Sequence, residues 1–230
     1  MKAENKKAEI YLYSDIGYDF WEGTSTAETF AKDLKALGDV SNIELHINSN
    51  GGDVFDGQAI HSLLKNHKAY VTCYVDGLAA SIASVIAMSA DKILMPKNAM
   101  MMIHNAWTGI YGNSKELRKM ADDLDIINDT IVTTYINKAN IPECEIRELM
   151  DNETWLNADR CLELGLCDEV LEPMKAAASI SKEQAKNFRN VPKELIETQK
   201  EFKTKKAKAY LKLLEAVSYT HLRAHETLAN

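Results

Sequence analysis

Short apolar segments alternate with longer amphipathic segments along most of the chain. The short segments are rich in β-branched and aromatic residues or alternate between apolar and polar positions, which predicts strands. The predicted strands are 8–13, 43–48, 69–75, 92–95, 99–104, 153–157 and 167–171. Because helical segments with short connections separate most of them, the order predicts an α/β fold with largely parallel strands and right-handed crossovers.

Capping residues indicate where several helices begin. Ser25 with Glu28, and Asn113 with Glu116, have the spacing of capping boxes, and Pro142 suits the first turn of a helix. Gly165 is suited to end one. The predicted helices are 25–37, 54–66, 81–90, 113–140, a short helix from 142, and 158–165.

The chain changes character near residue 172. The first 171 residues carry 15 basic and 27 acidic side chains, whereas residues 172–230 carry 12 basic and 7 acidic ones. We therefore predict a catalytic domain over 1–171 and a basic, helix-prone or flexible C-terminal tail over 172–230. The last 13 residues, SYTHLRAHETLAN, resemble translated sequencing-adapter sequence and are predicted not to be native.

Composition narrows the classes of function. The net charge of −7 argues against a general nucleic-acid binder, and no apolar run is long enough to span a membrane. The N-terminus lacks the apolar core of a secretory signal. The four cysteines have neither disulfide-framework nor zinc-site spacing, so we predict reduced thiols in a cytoplasmic protein.

Ser81 lies where a strand is predicted to end and a helix to begin, in the segment DGLAASIAS (76–84). A serine there is ordinarily a helix N-cap, and this segment alone favours that interpretation. The alternative is a nucleophile, since open α/β sheets bind ligands at the carboxyl ends of their strands. The amide of Ile82 would then be an oxyanion donor, because amides in a first helical turn lack intrahelical partners.

Three further positions could support such a serine. Gly51 and Gly52 follow a predicted strand, and glycine lets a backbone N–H face a substrate carbonyl, although an ordinary tight turn is the simpler explanation. His104 ends an apolar strand beside a glycine-bearing loop, where active-site residues concentrate. Asp151 and Glu153 are candidate acids, although singly they resemble solvated loop charges.

Together these segments resemble the proteolytic subunit of the Clp serine protease family. The matching segments are INSNGGDVFDG, DGLAAS, MMIH and NETWLNADRCLELGLCD, which occur in the family's order. The resemblance covers about Ile10 to Val170. It implies the Clp protease/crotonase-like fold, with repeated strand-strand-helix units and a protruding handle helix. The variants GGDVFDG and ETWLNAD most resemble the phage and prophage branch, whose members are associated with capsid maturation.

The resemblance implies a role for each candidate residue. Ser81 corresponds to the nucleophile and His104 to the general base, and the backbone N–H groups of Gly52 and Ile82 correspond to the oxyanion hole. The family's acidic residue, usually aspartate, aligns with Glu153, and Asp151 is the second choice. The implied reaction is peptide-bond hydrolysis without a metal or organic cofactor.

The family also implies an assembly. Its members form seven-membered rings, often stacked in pairs, that enclose peptide or unfolded-protein substrates. The predicted helix 113–140 corresponds to the handle through which rings meet, and its apolar residues recur at helical spacing, although burial against its own domain is the alternative. Those residues are Leu117, Met120, Leu124, Ile127 and Ile131.

Two features depart from the family's pattern. Only about nine residues precede the first predicted strand, where the family has an axial segment that contacts a ring ATPase. Dependence on an ATPase unfoldase therefore stays open. The proline common after the catalytic histidine is absent, and HNAW stands there instead, so Trp107 is expected to alter a substrate subsite.

Three other functions are weighed against a Ser-His peptidase. A crotonase-like acyl-CoA hydratase or isomerase would use paired oxyanion amides without needing Ser81, His104 and Glu153 together. A serine–lysine peptidase would need a lysine in the pocket, for which Lys92 and Lys97 are the candidates. A non-catalytic, ring-forming scaffold would keep the fold alone.

Overall fold

An eight-stranded sheet carries the elements that hold the candidate site. The computed structural model describes residues 1–4, 6–17, 26–173 and 180–196. The strands are β1 (Lys2–Glu4), β2 (Lys7–Leu12), β3 (Asn42–Ser49), β4 (Tyr70–Ala80), β5 (Lys92–Pro96), β6 (Met100–Ile103), β7 (Thr154–Asn157) and β8 (Glu169–Leu171). The helices are α1 (Ala27–Ala36), α2 (Val54–Lys65), α3 (Ile82–Ala87), α4 (Ser114–Ile136), α5 (Glu143–Asp151) and α6 (Ala158–Leu164).

The sheet is mostly parallel, which confirms the predicted fold class. Its order is β1-β2-β3-β4-β5-β8, and β6 pairs with β4 on one side and with β7 on the other. Among the strands that the structure describes, only the pairs β1–β2 and β6–β7 are antiparallel. On the edge away from β3, strand β4 has two successive partners: its first half pairs with β5, and its last residues, Leu78–Ala80, pair with β6.

Alternating residues of β2 and β3 are buried in the core, and the last six residues of β4 are buried without alternation. Helix α3 is buried throughout, as its apolar sequence requires. Three of the four free cysteines are also buried, and burial raises the pKa of the Cys167 thiol to about 11. This thiol therefore stays protonated at neutral pH and acts as a small apolar side chain.

Several predicted boundaries were wrong. Strand β4 extends through Ala80 because its last three residues pair with β6, so helix α3 begins only at Ile82 and ends at Ala87 rather than Ala90. Strand β1 was not predicted. Helix α1 is capped by Thr26, whose hydroxyl accepts from the Thr29 amide, and the Ser25 of the predicted capping box lies outside the described residues.

Helix α4 has two unlike ends. Its N-terminus carries the predicted capping box, in which the Asn113 side chain accepts from the Glu116 amide and the Glu116 carboxylate accepts from the Asn113 amide. Leu117 and Ile126 are 44% and 64% exposed, whereas the buried residues cluster near the C-terminus. Those buried residues are Ile131, Val132 and Tyr135.

The chain divides into two compact units, Met1–Ala178 and Ser179–Asn230. In the second unit, residues 180–196 form two 3₁₀ turns and a bridge between Ile180 and Ile196. The rest of the predicted tail, 172–230, lies largely outside the described residues, as do residues 218–230, and its role stays a prediction. None of the helices that the structure describes is long and apolar enough to span a membrane.

Candidate active site

Ser81 occupies a strained turn between β4 and α3. Its backbone has φ 55° and ψ −132°, a region that non-glycine residues rarely adopt. The turn forms because β4 pairs with β6 up to Ala80, the Ser81 amide donates to the Met102 carbonyl at 2.9 Å, and α3 begins at the next residue. Such a turn exposes the hydroxyl of a serine at the carboxyl edge of the sheet.

The Ser81 hydroxyl does not cap the helix. Its side chain makes no capping hydrogen bond. Instead, Ser81 Oγ lies 2.7 Å from Nε2 of His104. Strand register explains this contact, since Ala80 pairs with Met102 in parallel strands, and Ser81 and His104 both leave the same edge of the sheet.

Register also brings Glu153 next to His104. Strand β7 runs antiparallel to β6 with Thr154 opposite Ile103, so the residue before β7 faces the residue after β6. Glu153 is 6% exposed and sits at φ 48°. One of its carboxylate oxygens, Oε2, lies 4.0 Å from Nδ1 of His104, on the side of the ring away from Ser81.

Asp151, the second choice for the acid, is turned elsewhere. It is the last residue of α5, it is exposed, and its carboxylate accepts from the Asn105 side chain at 2.7 Å. Of the two acids, therefore, Glu153 is the one placed against the imidazole. Asp151 instead holds the loop that follows His104.

The glycine turn lies against the Ser81–Ile82 peptide. Gly51 and Gly52 have φ 94° and 145°. A methyl group on Gly51 would lie 2.7 Å from Ser81 Cβ and 3.1 Å from the Ile82 nitrogen, so only glycine permits this approach. The Gly51 amide donates to Ser49 Oγ, and across the described residues the amides of Gly52 and Ile82 have no protein acceptor.

Sequence reasoning missed the polar residues behind the turn. Ser84 Oγ lies 2.5 Å from the Ser81 carbonyl oxygen and 2.7 Å from the hydroxyl of Tyr135 on α4. The Asn128 side chain, also on α4, accepts from the Ala106 amide in the loop after His104. The sequence holds one hint of these contacts: Ser84 and Tyr135 are polar residues at otherwise apolar helical positions.

The remaining candidates have other surroundings. The Lys92 ammonium pairs with Glu169 on β8 at 2.6 Å, and the backbone amide of Lys97 donates to the Leu171 carbonyl, so both residues lie on the β5–β8 side. Trp107 is exposed in the loop after His104. Within the described part of the chain, no group of His, Cys, Asp or Glu side chains could hold a metal ion, and a cofactor-free reaction stays a prediction.

Comparisons with known proteins agree with one another. The sequence model of the Clp protease family matches residues 2–174. The chain is 31% identical over 133 residues to the ATP-dependent Clp protease proteolytic subunit of Deinococcus radiodurans, which covers 56% of this chain and 65% of that protein. It is 29% identical over 149 residues to ATP-dependent Clp protease proteolytic subunit 1 of a Synechococcus species, covering 63% and 76%.

A solved structure supports the fold. A mutant of ClpP1 from Listeria monocytogenes superposes with a TM-score of 0.62 at 24% identity, over 71% of this chain and 91% of that one. The family match extends from β1 to beyond β8 and so includes every strand of the sheet. This chain belongs to the Clp protease family.

Proposed function

We propose that the protein is a serine endopeptidase whose triad is Ser81, His104 and Glu153. The observation that carries the proposal is the 2.7 Å contact between Ser81 Oγ and His104 Nε2 at a strained turn, flanked by two amides that have no acceptor among the described residues. A nucleophile within hydrogen-bond reach of its base, with donors for the oxyanion beside it, is the arrangement that acyl transfer requires. The Clp protease relatives are consistent with it.

Acylation follows from this geometry. His104 Nε2 accepts the Ser81 proton as Oγ attacks the scissile carbonyl carbon, and the carbonyl oxygen gains the negative charge. The imidazolium then donates that proton to the leaving amine nitrogen, and the C–N bond breaks. Glu153 stabilises the imidazolium from the Nδ1 side, where its carboxylate is buried.

Deacylation repeats the steps with water. His104 accepts a proton from the water as its oxygen attacks the acyl carbon, and returns the proton to Ser81 Oγ as the ester bond breaks. The N–H groups of Gly52 and Ile82 stabilise the oxyanion in both stages. Loss of one such donor typically lowers kcat by ~10²–10³.

The alternatives have less support. A serine–lysine peptidase would need Lys92 or Lys97 at Ser81, and the partner of Ser81 Oγ is His104. An acyl-CoA hydratase or isomerase has no use for the strained Ser81 turn. A non-catalytic scaffold stays the main competitor, and the labelling experiment below separates it from an enzyme.

The proposal includes an oligomeric ring, as a homo-heptamer or double ring, acting on peptides or unfolded proteins in the cytoplasm. The exposed apolar residues Leu117 and Ile126 of α4 support it, because this chain leaves them uncovered. An ATPase unfoldase partner is suggested by relatives whose names call them ATP-dependent. Mass measurement by light scattering, with and without a change of Ile126 to Asp, tests the α4 contact.

A role in phage capsid maturation is a narrower part of the proposal. It rests on the segments GGDVFDG and ETWLNAD. It predicts that the DNA flanking this reading frame encodes capsid and portal proteins. A flank of bacterial housekeeping genes would contradict it without affecting the peptidase proposal.

A fluorophosphonate probe tests the activity. The full chain is labelled after size-exclusion chromatography, in each assembly state, alongside Ser81→Ala and Ser89→Ala. Ser89 is a matched control because it is a buried serine, two residues after the end of α3, that donates to the Ile86 carbonyl. We expect wild type and Ser89→Ala to be labelled and Ser81→Ala to stay blank. A wild type that is unlabelled in every assembly state would contradict the proposal and favour the scaffold.

A further inference from the structure

We propose that Ser84 and Tyr135 are positioning residues that orient the oxyanion donor of Ile82. The inference rests on the proposed peptidase function and adds two residues to it. Both side chains are buried, at 0% and 1% exposure. Their hydroxyls form a chain that ends on the carbonyl oxygen of Ser81.

The direction of each hydrogen bond in this chain can be assigned. Burial raises the pKa of Tyr135, so its phenol stays protonated at neutral pH and can donate. The Ser84 hydroxyl has one hydrogen, and its shortest contact is the 2.5 Å distance to the Ser81 carbonyl oxygen, which can only accept. Ser84 therefore donates to Ser81, and Tyr135 donates to Ser84.

The Ser81 carbonyl and the Ile82 N–H belong to the same peptide group. In a planar trans peptide the C=O and N–H bonds point in opposite directions. Holding the carbonyl toward Ser84 consequently directs the Ile82 N–H to the opposite side of the peptide, and the Ile82 nitrogen lies beside the glycine turn, 3.1 Å from where a methyl group on Gly51 would be. The Ser84 amide, 3.0 Å from the same carbonyl oxygen, reinforces this orientation.

The network also joins the elements that carry the two reacting side chains. Ser84 Oγ lies 3.2 Å from the Met102 carbonyl, which also accepts from the Ser81 amide. Met102 lies on β6, two residues before His104, while Tyr135 reaches the turn from α4. The peptide that bears the oxyanion donor is thus fixed against β6 and α4 together.

Inactivation kinetics with a fluorophosphonate test this role, because the probe's phosphonyl oxygen needs the same donor. We expect Ser84→Ala and Tyr135→Phe to lower the maximal inactivation rate constant by about tenfold, less than the ~10²–10³ of a lost donor. The probe's half-saturating concentration should stay unchanged. A general loss of packing would not lower the rate constant while leaving the half-saturating concentration unchanged.

Ser89→Ala is the matched control, since it removes a buried hydroxyl that bonds a carbonyl three residues earlier, as Ser84 does. It should lower the melting temperature while leaving the inactivation rate constant at the wild-type value. The double variant Ser84→Ala/Tyr135→Phe should be no slower than Ser84→Ala within about twofold, because both changes break one chain of bonds.

The outcomes separate the two proposals. Wild-type rates in both Ser84→Ala and Tyr135→Phe, with wild type labelled, would overturn the positioning role alone. Equal slowing by Ser89→Ala would also overturn it. A wild type that the probe does not label would overturn the peptidase function and this inference with it. If Ser84→Ala fails to fold, Tyr135→Phe decides, because it breaks the same chain of hydrogen bonds at its other end.

Discussion

Two histidines of this protein each lie beside a buried carboxylate, yet only one has the surroundings of a catalyst. His46 Nδ1 lies 2.8 Å from Asp76, whereas His104 Nδ1 lies 4.0 Å from Glu153. By this distance alone, His46 would be the better candidate. The other neighbours of the two rings make His104 the better candidate instead.

The His46 ring is enclosed by aromatic groups on the sheet surface. It stacks between Tyr11 and Tyr74, at 4.8 and 4.9 Å between ring centroids, and Asp76 also accepts from the Tyr13 hydroxyl. His104, by contrast, contacts a serine hydroxyl at a strained turn. A histidine–carboxylate pair is therefore a weak sign of catalysis. The specific sign is a nucleophile beside amides that have no acceptor among the described residues.

Replacement of each histidine tests this difference most directly and should give the largest effect. We expect His104→Gln to reduce fluorophosphonate labelling by as much as ~10⁶, the loss seen when a triad base is removed. His46→Gln, which removes the closer carboxylate pair, should label at the wild-type rate. Loss of labelling in both variants would show that the comparison does not separate catalysis from stability.

Glu153→Gln should give the next largest effect. The neutral amide cannot stabilise the imidazolium, so we expect a loss of about 10²- to 10⁴-fold in the inactivation rate constant. Asp151→Asn is the matched control, since the two acids are close in sequence and Asp151 contacts Asn105 instead. A larger loss from Asp151→Asn would assign the third triad position to the other acid.

Gly51→Ala should lower the inactivation rate constant by about 10²- to 10³-fold, because it displaces the Ser81–Ile82 peptide that bears an oxyanion donor. The added methyl would meet Ser81 Cβ and the Ala80 carbonyl at 2.7 Å. Gly38→Ala is the control, because Gly38 also has positive φ but nothing lies within 4 Å of the added methyl. Equal effects of both changes on labelling would mean that backbone strain, and not contact with Ser81, is responsible.

Periodicity in the sequence predicted most of the sheet and the capping box of α4, because both depend on local patterns. The end of β4 was not predictable in this way. Its last residues, Leu78–Ala80, are held extended by strand β6, which lies twenty residues later in the chain, and that pairing creates the Ser81 turn. Without it, a serine before an apolar helix resembles an ordinary cap.

The contacts of the site are also long-range. Ser84 and Tyr135 are 51 residues apart, and no local spacing relates them. Asp151 and Glu153 are nearly adjacent, yet one ends α5 in solvent and the other is buried before β7. Only the register of β7 on β6 separates their roles, and a single sequence does not reveal that register.

The smallest expected effect concerns the stability that His46 contributes. Its pKa is raised, chiefly by the hydrogen bond to Asp76, against the lowering effect of burial; Asp76, Glu44 and Glu9 also favour the charged ring. Because the folded-state pKa is above the unfolded value of about 6.5, this stabilisation is complete below pH 6.5 and is lost as pH rises through the raised pKa.

Urea unfolding of wild type and His46→Gln at pH 5.5 and pH 9 measures this effect. The free energy of unfolding lost on substitution should be larger at pH 5.5, by at most about 1 kcal/mol for a partly exposed pair. A cost that is equal at the two pH values would mean that stacking between Tyr11 and Tyr74, and not the charge on the ring, gives His46 its role. In either case the labelling rate should not follow this stability change. Among the described residues, His46 and Asp76 share no hydrogen bond with Ser81 or His104.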